Sequence, residues 1–324
     1  MIIGGGLMKK VFTLLFFVLL SVHSLFALEI YAGKGIEGVK MITVENDQTI
    51  ALDSPISFVE SGVRVGSYLF LAMRNFGFSI LEADGLILRN TMCVGDVTDI
   101  AINIEFLDLF VADGSRGILR YKFFRPDFLK FVEVVPVHGW VVDIEVWKDY
   151  LIVATDGFGL YLYKKVNGYF EEVDKLGGYG LPKTSSNFLP SEMFVDKKGR
   201  IFLASGLKGL IVLKIYADKL IVEKNIGIGY ADSLDFCNEK LIVADFKGKR
   251  VLLFDVNDNI KFAKQFNLVE EPRKVKLIED PWTEEMFILA ITDSGIHLKN
   301  LSTAEESRIY GTYNCIIKPL IYEP

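Results

Sequence analysis

Residues 141–176 read VVDIEVWKDYLIVATDGFGLYLYKKVNGYFEEVDKL, four short apolar segments separated by turn residues. The segments are Val141–Trp147, Tyr150–Thr155, Leu160–Val166 and Tyr169–Leu176. Each is rich in β-branched and aromatic residues, and the Asn-Gly pair at residues 167–168 is a strong signal for a tight hairpin turn. The stretch therefore predicts a four-stranded antiparallel sheet, and we call its strands A to D in chain order.

The second strand of this unit recurs along the chain as an apolar run that reaches an alanine. The alanines are Ala32, Ala72, Ala112, Ala154, Ala204, Ala244 and Ala290. Successive alanines are 40, 40, 42, 50, 40 and 46 residues apart. A step near forty residues, built from strands alone, is typical of a β-propeller. We therefore predict an all-β fold, a seven-bladed β-propeller of four-stranded antiparallel blades.

The two ends of the repeat complement each other. The first copy starts almost on its strand B, at Glu29, so blade one lacks a strand A of its own. After the last strand D one apolar segment remains, residues 314–322. We predict that this C-terminal segment supplies strand A of blade one and closes the ring, which removes exposed sheet edges.

The N-terminus has the pattern of a secretory signal peptide. Lys9 and Lys10 precede an apolar run at residues 11–20, and small residues follow at Ser24 and Ala27. We predict a signal peptide over residues 1–27, one propeller domain over residues 28–324, and a secreted or periplasmic location. The alternative is that the segment is kept as a membrane anchor, for which 18 residues would be the shortest usable span. Cleavage would leave no membrane span.

Composition limits the classes of partner and of stabilisation. After removal of residues 1–27 the chain has 34 basic and 42 acidic residues, a net charge of −8. Such a surface repels phosphate backbones, so we expect no nucleic-acid partner. The three cysteines, Cys93, Cys237 and Cys315, cannot form a full disulfide framework, and we expect buried thiols.

Four of the repeats resemble known propeller families. VADGSRGILRY (111–121), VATDGFGLYLY (153–163) and LASGLKGLIVL (203–213) are similar to LVIVD-type repeats of secreted bacterial proteins. LIVADFKGKRVLLFD (241–255) looks like an NHL repeat. The resemblance implies the propeller fold and, because these families are mostly interaction scaffolds with a minority of enzymes, favours a binding role.

In propellers, ligands usually meet the face that carries the B–C turns and the D–A connections, where strand A begins. Aligned at this point are Asp99, Asp143, Glu192, Ser233, Lys274 and Asn314, with Glu60 or Ser61 in blade two. Carboxylate and amide oxygens at Asp99, Asp143, Glu192 and Asn314 predict a site that suits a hard cation such as Ca²⁺. The alternative is that a recurrent acid here caps local backbone amides, and Lys274 would offset part of the acid charge.

Two departures from the forty-residue step mark candidate binding loops. Residues 177–190, between blades four and five, bring Tyr179 and Phe188 to the same face as Trp140, and these aromatic rings could stack on a sugar or a peptide. Trp282, in an insertion at residues 279–285, falls on the opposite face. Lysines and arginines also recur in the B–C turns, which predicts a basic rim: Lys34, Arg74, Arg116, Lys208, Lys247 and Lys249.

Signatures of common enzymes are absent from the sequence. It contains no GxSxG, HExxH or phosphate-binding lysine loop. Residues 33–38, GKGIEG, match GxGxxG, but they form a B–C turn of the repeat and do not open a helix, as a dinucleotide-binding motif requires. We therefore expect a non-catalytic module, without a required cofactor, that binds a protein, a peptide or a glycan at the channel mouth. The alternative function is a metal-dependent hydrolase of lactone type with the acidic ring at its centre.

Overall fold

The computed structural model describes residues 29–34, 37–43, 48–50, 56, 58–92, 95–125, 128–156, 158–177, 192–280 and 283–319. The chain is all-β, apart from short 3₁₀ turns such as Asp84–Leu86 and Gly114–Arg116. The first fourteen described strands are β1 (Glu29–Gly33), β2 (Val39–Thr43), β3 (Gln48–Ile50), β4 (Ser61–Val65), β5 (Tyr68–Ala72), β6 (Phe78–Glu82), β7 (Ile87–Met92), β8 (Val97–Asn103), β9 (Asp108–Asp113), β10 (Ile118–Arg125), β11 (Phe128–Val135), β12 (Val141–Trp147), β13 (Tyr150–Thr155) and β14 (Gly159–Val166). The remaining described strands are β15 (Tyr169–Leu176), β16 (Met193–Val195), β17 (Arg200–Ala204), β18 (Leu210–Tyr216), β19 (Lys219–Ile226), β20 (Ala231–Cys237), β21 (Lys240–Asp245), β22 (Arg250–Val256), β23 (Ile260–Asn267), β24 (Lys274–Glu279), β25 (Met286–Thr292), β26 (Gly295–Asn300), β27 (Glu306–Tyr310) and β28 (Cys315–Pro319).

These strands form seven four-stranded antiparallel blades, as the sequence predicts. Blades two to seven are β4–β7, β8–β11, β12–β15, β16–β19, β20–β23 and β24–β27. In the blade that decided the prediction, β12, β13 and β15 have the predicted limits, and β14 begins one residue earlier. We call the face with the B–C turns and the D–A connections the upper face, and the face with the A–B and C–D turns the lower face.

The ring closes through the C-terminal strand. β28 pairs antiparallel with β1, with Ala32 opposite Ile316 and Tyr31 opposite Ile317. Blade one is therefore β28, β1, β2 and β3, and its inner strand comes from the other end of the chain. A short parallel bridge from β28 to β4 also joins blade one to blade two. The predicted closure is confirmed.

The core consists of seven apolar clusters, one between each pair of neighbouring blades. In β13, Leu151 and Val153 pack towards blade three, whereas Ile152 and Ala154 pack towards blade five. Successive side chains of a strand point to opposite faces, so a strand buried on both faces needs a continuous apolar run. This is the physical reason for the recurring apolar strand B.

The recurring alanines are fully buried where blades come together, but two of them are out of register. In blade four Ala154 lies opposite Leu160, directly after the turn glycine. In blade one Gly33 takes that place, and in blade seven Ile291 does, so Ala32 and Ala290 lie one residue earlier. The repeat holds in these blades, with a shift of one position.

The N-terminal prediction and part of the cysteine prediction fall on residues outside the described set. The predicted signal peptide, residues 1–27, and Cys93 lie there. Cys237 and Cys315 are buried thiols outside any disulfide, as expected. Burial raises the pKa of the Cys315 thiol to about 12, so it stays protonated. Within the described part of the chain, no helix has the length and apolar character needed to cross a membrane.

Candidate functional site

The residues at the start of strand A link each blade to the next. Asp99 in blade three accepts a hydrogen bond from the backbone N–H of Ile144 in blade four, at 3.0 Å. Asp143 in blade four accepts one from the N–H of Met193 in blade five, at 2.5 Å. The acids thus satisfy backbone amides, as the alternative prediction had it, but the amides belong to the neighbouring blade.

In the next blades a serine accepts the hydrogen bond between neighbouring strands A. The Oγ of Ser233 in blade six accepts a hydrogen bond from the N–H of Val275 in blade seven, at 3.0 Å. Two residues on, Asp235 accepts one from the N–H of Leu277, at 2.7 Å. Ser61 in blade two donates to Asp99 at 2.7 Å, which carries the chain of contacts back to blade two.

Glu192 connects three blades across the channel. Its carboxylate contacts the Ser233 hydroxyl on one oxygen. Its other oxygen accepts hydrogen bonds from Lys274, at 2.8 Å, and from Lys276, at 3.3 Å, both in blade seven. Burial alone would raise the pKa of Glu192, but the two ammonium groups lower it to about 2. The carboxylate is therefore charged and engaged by lysines.

Asp99 and Asp143 form a close carboxyl pair beside this ion pair. The N–H of Ile144 donates both to Asp99 and to an oxygen of Asp143, at 3.0 Å each. Burial and the adjacent Asp99 charge raise the pKa of Asp143 well above its usual range. A buried carboxyl group beside a carboxylate favours its uncharged form, so Asp143 carries less charge here than it would in water.

Asn314 does not occupy the position expected for it. In blades three, four and six, strand A opens with a β-bulge, in which two residues lie opposite one residue of strand B. Gly33 pairs with Cys315, and the N–H of Asn314 donates to the carbonyl of Gly33, as the N–H of Glu60 does to Ala72. Asn314 is therefore equivalent to Glu60 in blade two. It comes one residue before the position that Ser61, Asp99, Asp143, Glu192, Ser233 and Lys274 occupy around the channel, which we call the strand-A ring. In blade one this position is taken by Cys315.

Register also identifies ring neighbours that the alignment missed. Glu145, Asp235 and Lys276 each follow a ring residue by two positions in strand A, so their side chains point to the same side of the strand. These three residues could have been found from the sequence, because side chains two positions apart in a strand point to the same face. Within the described part of the chain, no group of three or more metal-binding side chains is arranged to hold an ion.

The upper rim carries exposed apolar side chains on turns that are held by backbone hydrogen bonds. The tips are Phe58, Phe76, Trp140, Phe158, Leu207 and Val269. Trp140 packs so closely against Gly114 that a Cβ atom added to this glycine would lie 2.9 Å from the indole ring. The backbone carbonyl of Trp140 accepts a hydrogen bond from the N–H of Asp156. The His138 ring meets Phe158 edge to face, with centroids 5.7 Å apart. Tyr179, Phe188 and Trp282 lie outside the described residues.

The rim is less basic than the sequence suggested, because its cations meet acids. The ion pairs are Lys34–Glu37 at 3.1 Å, Arg74–Glu60 at 3.4 Å, Arg116–Asp113 at 3.4 Å and Lys249–Glu271 at 3.2 Å. Lys247 lies over the ring of Tyr230. The expectation of a basic rim is corrected, since Glu37 shares the B–C turn of Lys34, and Glu60 and Glu271 come from the D–A connections beside the turns.

Solved structures with the same fold share little sequence with this chain. A protein from Lactobacillus plantarum superposes with a TM-score of 0.70 at 14% identity, covering 90% of this chain and 99% of that one. A candidate 6-phosphogluconolactonase from Bacteroides uniformis gives 0.66 at 13% identity, with 90% and 99% coverage. The WD40 repeats of RRP9 give 0.65 at 12% identity, with 89% of each chain covered.

Comparison by sequence adds no family. No family model matches the chain. No curated protein matches it either. At identities this low, structural likeness shows the fold alone. The chain is a seven-bladed β-propeller, and its function has to be argued from its own side chains.

Proposed function

We propose that this propeller is a secreted or periplasmic, non-catalytic binding module that takes a protein, a peptide or a glycan on its upper face. The observation that carries the proposal is the set of apolar tips around the upper rim. Leu207 and Val269 are 71% and 80% exposed, and Phe76 and Phe158 are about half exposed. They come from four different connections of blades two, four, five and six.

Such a rim has the physical requirements of an interface. Burying apolar surface yields about 25 cal/mol per Å², and aromatic side chains are frequent energetic centres of interfaces. The turns that carry the tips are fixed by backbone bridges such as Arg74–Val97 and Gly206–Ala231. A fixed platform loses little conformational entropy when a partner docks. The resemblance to LVIVD-type and NHL repeats supports a binding role in the same direction.

Site-specific crosslinking tests the proposal. A photo-crosslinking amino acid at Leu207, on the upper face, should capture a defined partner in the producing cell. The matched control is Tyr216, which is 65% exposed but lies at the C–D end of β18 on the lower face. Phe158→Asp should reduce capture at position 207 by roughly tenfold or more. Equal capture at both positions, or none at 207, would contradict an upper-face partner.

The N-terminal part of the proposal has a separate test. The mature protein should begin at or beside Leu28, and N-terminal sequencing of the exported form decides this. A chain that still starts before Lys9 would instead support the membrane anchor.

A metal-dependent hydrolase of lactone type remains the second candidate, because Asp99, Asp143 and Glu192 come together in the channel. Its weakness is that Lys274 and Lys276 already neutralise Glu192. Metal analysis of the purified chain separates the two functions. A stoichiometric divalent ion that is lost in Asp143→Asn would favour the hydrolase, and an absence of bound metal would exclude it.

A further inference from the structure

The ring of strand-A side chains divides the central channel into two unequal spaces. Above the ring is a cavity of only about 30 Å³, room for a single water molecule. Below it is a cavity of about 750 Å³, well within the size of small-molecule sites. Ser61, Asp99, Asp143 and Glu192 line both spaces, so they form the partition between them.

The larger cavity opens on the lower face. Its outer lining includes residues 196–198 in the A–B turn of blade five and residues 237–239 in that of blade six. The ring forms its inner end. The lower channel is thus a pocket that opens on the face opposite the apolar rim. A ligand here would not compete with a partner on the upper face.

One wall of this pocket is aromatic. Phe194 and Phe236 line it, and their rings stack with centroids 5.2 Å apart. Val63, Ile102 and Val146 add aliphatic surface to the lining. This surface suits the apolar body of a small molecule, and an aromatic face also attracts cations.

The inner half of the pocket is negatively charged. Its described lining includes five carboxyl groups and one ammonium group, from Asp99, Asp143, Glu145, Glu192, Asp235 and Lys276. Lys274 adds a second ammonium group at Glu192. Even with Asp143 uncharged, four carboxylates face two ammonium groups. The potential therefore favours positive and opposes negative guests.

The charged groups already present respond to this potential. Burial, Asp99, Glu145 and Glu192 raise the pKa of Asp143. Burial alone would lower the pKa of Lys276, but Glu192, Asp235 and Asp143 raise it. For Asp143 burial is the main cause and the neighbouring acids add to it, and for Lys276 the acids outweigh burial. Glu192 is the exception, because Lys274 and Lys276 hold it ionised.

The entrance carries the cations Lys197, Lys198 and Arg200, together with the carboxylates of Asp196 and Glu239. Arg200 is paired with Asp196 at 2.6 Å, and Lys198 reaches Asp258 at 3.4 Å. The Lys198–Asp258 pair is exposed, so salt screens its charge over about 8 Å at physiological ionic strength, whereas Arg200 and Asp196 are largely buried and neutralise each other. The charge of the inner half dominates for a ligand that enters fully.

We propose that the lower channel is a binding pocket for an organic cation with an apolar body, such as a primary amine carrying an aromatic or aliphatic tail. Its ammonium group lies between Glu145 and Asp235, and its tail lies against Phe194 and Phe236. The carboxylates offset the cost of removing the ammonium group from water, and the aromatic wall buries the tail. This site is independent of the upper-face function.

Three probes that share one body and differ in charge test the pocket. They are 4-phenylbutylammonium, 4-phenylbutanol and 4-phenylbutyrate, titrated calorimetrically into the full chain. The amine should bind, and the alcohol should bind at least roughly tenfold more weakly because it lacks a charged hydrogen-bond donor. The carboxylate should not bind, because the pocket repels its charge. Carboxylate binding as tight as amine binding would overturn the proposal, and so would amine binding weaker than roughly 10 mM.

Variants then locate the bound amine. Glu145→Gln and Asp235→Asn should each weaken amine binding by about tenfold. Both retain the shape of the side chain, and the amide oxygen introduced by Asp235→Asn can still accept the N–H of Leu277. The matched control is Glu171→Gln on the exposed face of β15, which should leave binding unchanged. Folding is checked by the unliganded melting temperatures. If neither pocket variant weakens binding, the amine is bound elsewhere and the proposal fails.

Discussion

In this propeller, single polar side chains connect two neighbouring blades. Asp99, Asp143 and Ser233 start one strand A and accept a backbone hydrogen bond from the next. A buried amide that loses its acceptor costs about 1–3 kcal/mol. The recurrent polar residue at this point is thus explained by blade docking before any ligand is considered.

Asp232 gives this region a measurable pH dependence. Burial raises its pKa to about 7, with Glu192 acting in the same direction and Lys274 opposing it. A raised folded-state pKa stabilises the protein below the unfolded value, near 4, and that stabilisation is lost as the pH rises to 7. Asp232→Asn removes this loss. We expect the variant to gain about 1–3 kcal/mol relative to wild type between pH 4 and 7, with no further change above.

Urea unfolding of both proteins at pH 4.5, 6 and 8 measures this gain. Asp258→Asn is the control, because Asp258 has a 96% exposed side chain and should show no such trend. A pH-independent difference between Asp232→Asn and wild type would show that Asp232 titrates normally.

Arg120 is the largest fully buried side chain and ties blade three to blade four. Its guanidinium donates twice to Asp108, at 3.0 Å each, and to Glu133 and the carbonyl of Gly168. Lysine cannot reproduce this fork, so Arg120→Lys should lower the free energy of unfolding by about 3 kcal/mol. The control is Arg89, which forms an exposed ion pair with Glu82. Arg89→Lys should lower the free energy of unfolding by less than about 1 kcal/mol. Equal losses in denaturant unfolding would refute the distinction.

At the scale of the element, strands are predictable and their bulges are not. Alternation and the Asn-Gly turn predicted three strands of blade four to the residue. The strand-A bulge leaves no mark in composition, because it inserts a residue without changing the pattern around it. The sequence therefore predicted Asn314 at the position of Asp99 and Asp143, which Cys315 occupies in the structure. Blade six shows the same limit, since Lys249, at φ 48°, adopts the positive φ that glycine has in most other blades.

The B–C turn glycine can be tested against a glycine of similar backbone geometry. Gly209 has φ 78°, and a Cβ built on it would lie 2.3 Å from the carbonyl oxygen of Ile226. Gly168 has φ 90° but open space around it. Both alanine variants carry the strain of positive φ, about 1 kcal/mol, but only Gly209→Ala also clashes with backbone. Gly209→Ala should therefore lose at least about 2 kcal/mol more in denaturant unfolding. If both variants lose similar free energy of unfolding, the B–C turn can shift to accommodate the added Cβ atom.

At the scale of the whole molecule, the sequence predicts the ring but not the state of its channel. The forty-residue step and the unmatched ends were sufficient to predict seven blades and the closing strand. That Lys274 and Lys276 reach across the channel to Glu192 depends on the distance between non-adjacent blades, which no local pattern encodes. The partition of the channel, and with it the lower pocket, could only come from three-dimensional structure.

Closure by β28 should make the stability of the ring depend on the last residues of the chain. Ile316 packs between blades seven and one, and Ile317 packs between blades one and two. Truncation after Thr312 removes both side chains and exposes the edge of β1, so two of the seven interfaces weaken together. Loss of two large buried aliphatic side chains costs about 4–8 kcal/mol, enough to unfold a typical domain.

The control truncates the chain after Pro319 and keeps β28. It should melt like the full chain by circular dichroism, whereas the chain ending at Thr312 should unfold at a much lower temperature or fail to fold. Adding a peptide of residues 313–324 to the shorter chain should partly restore the transition, because strand A then returns in trans. A chain ending at Thr312 that melts like the full protein would show that the ring is held without its closing strand.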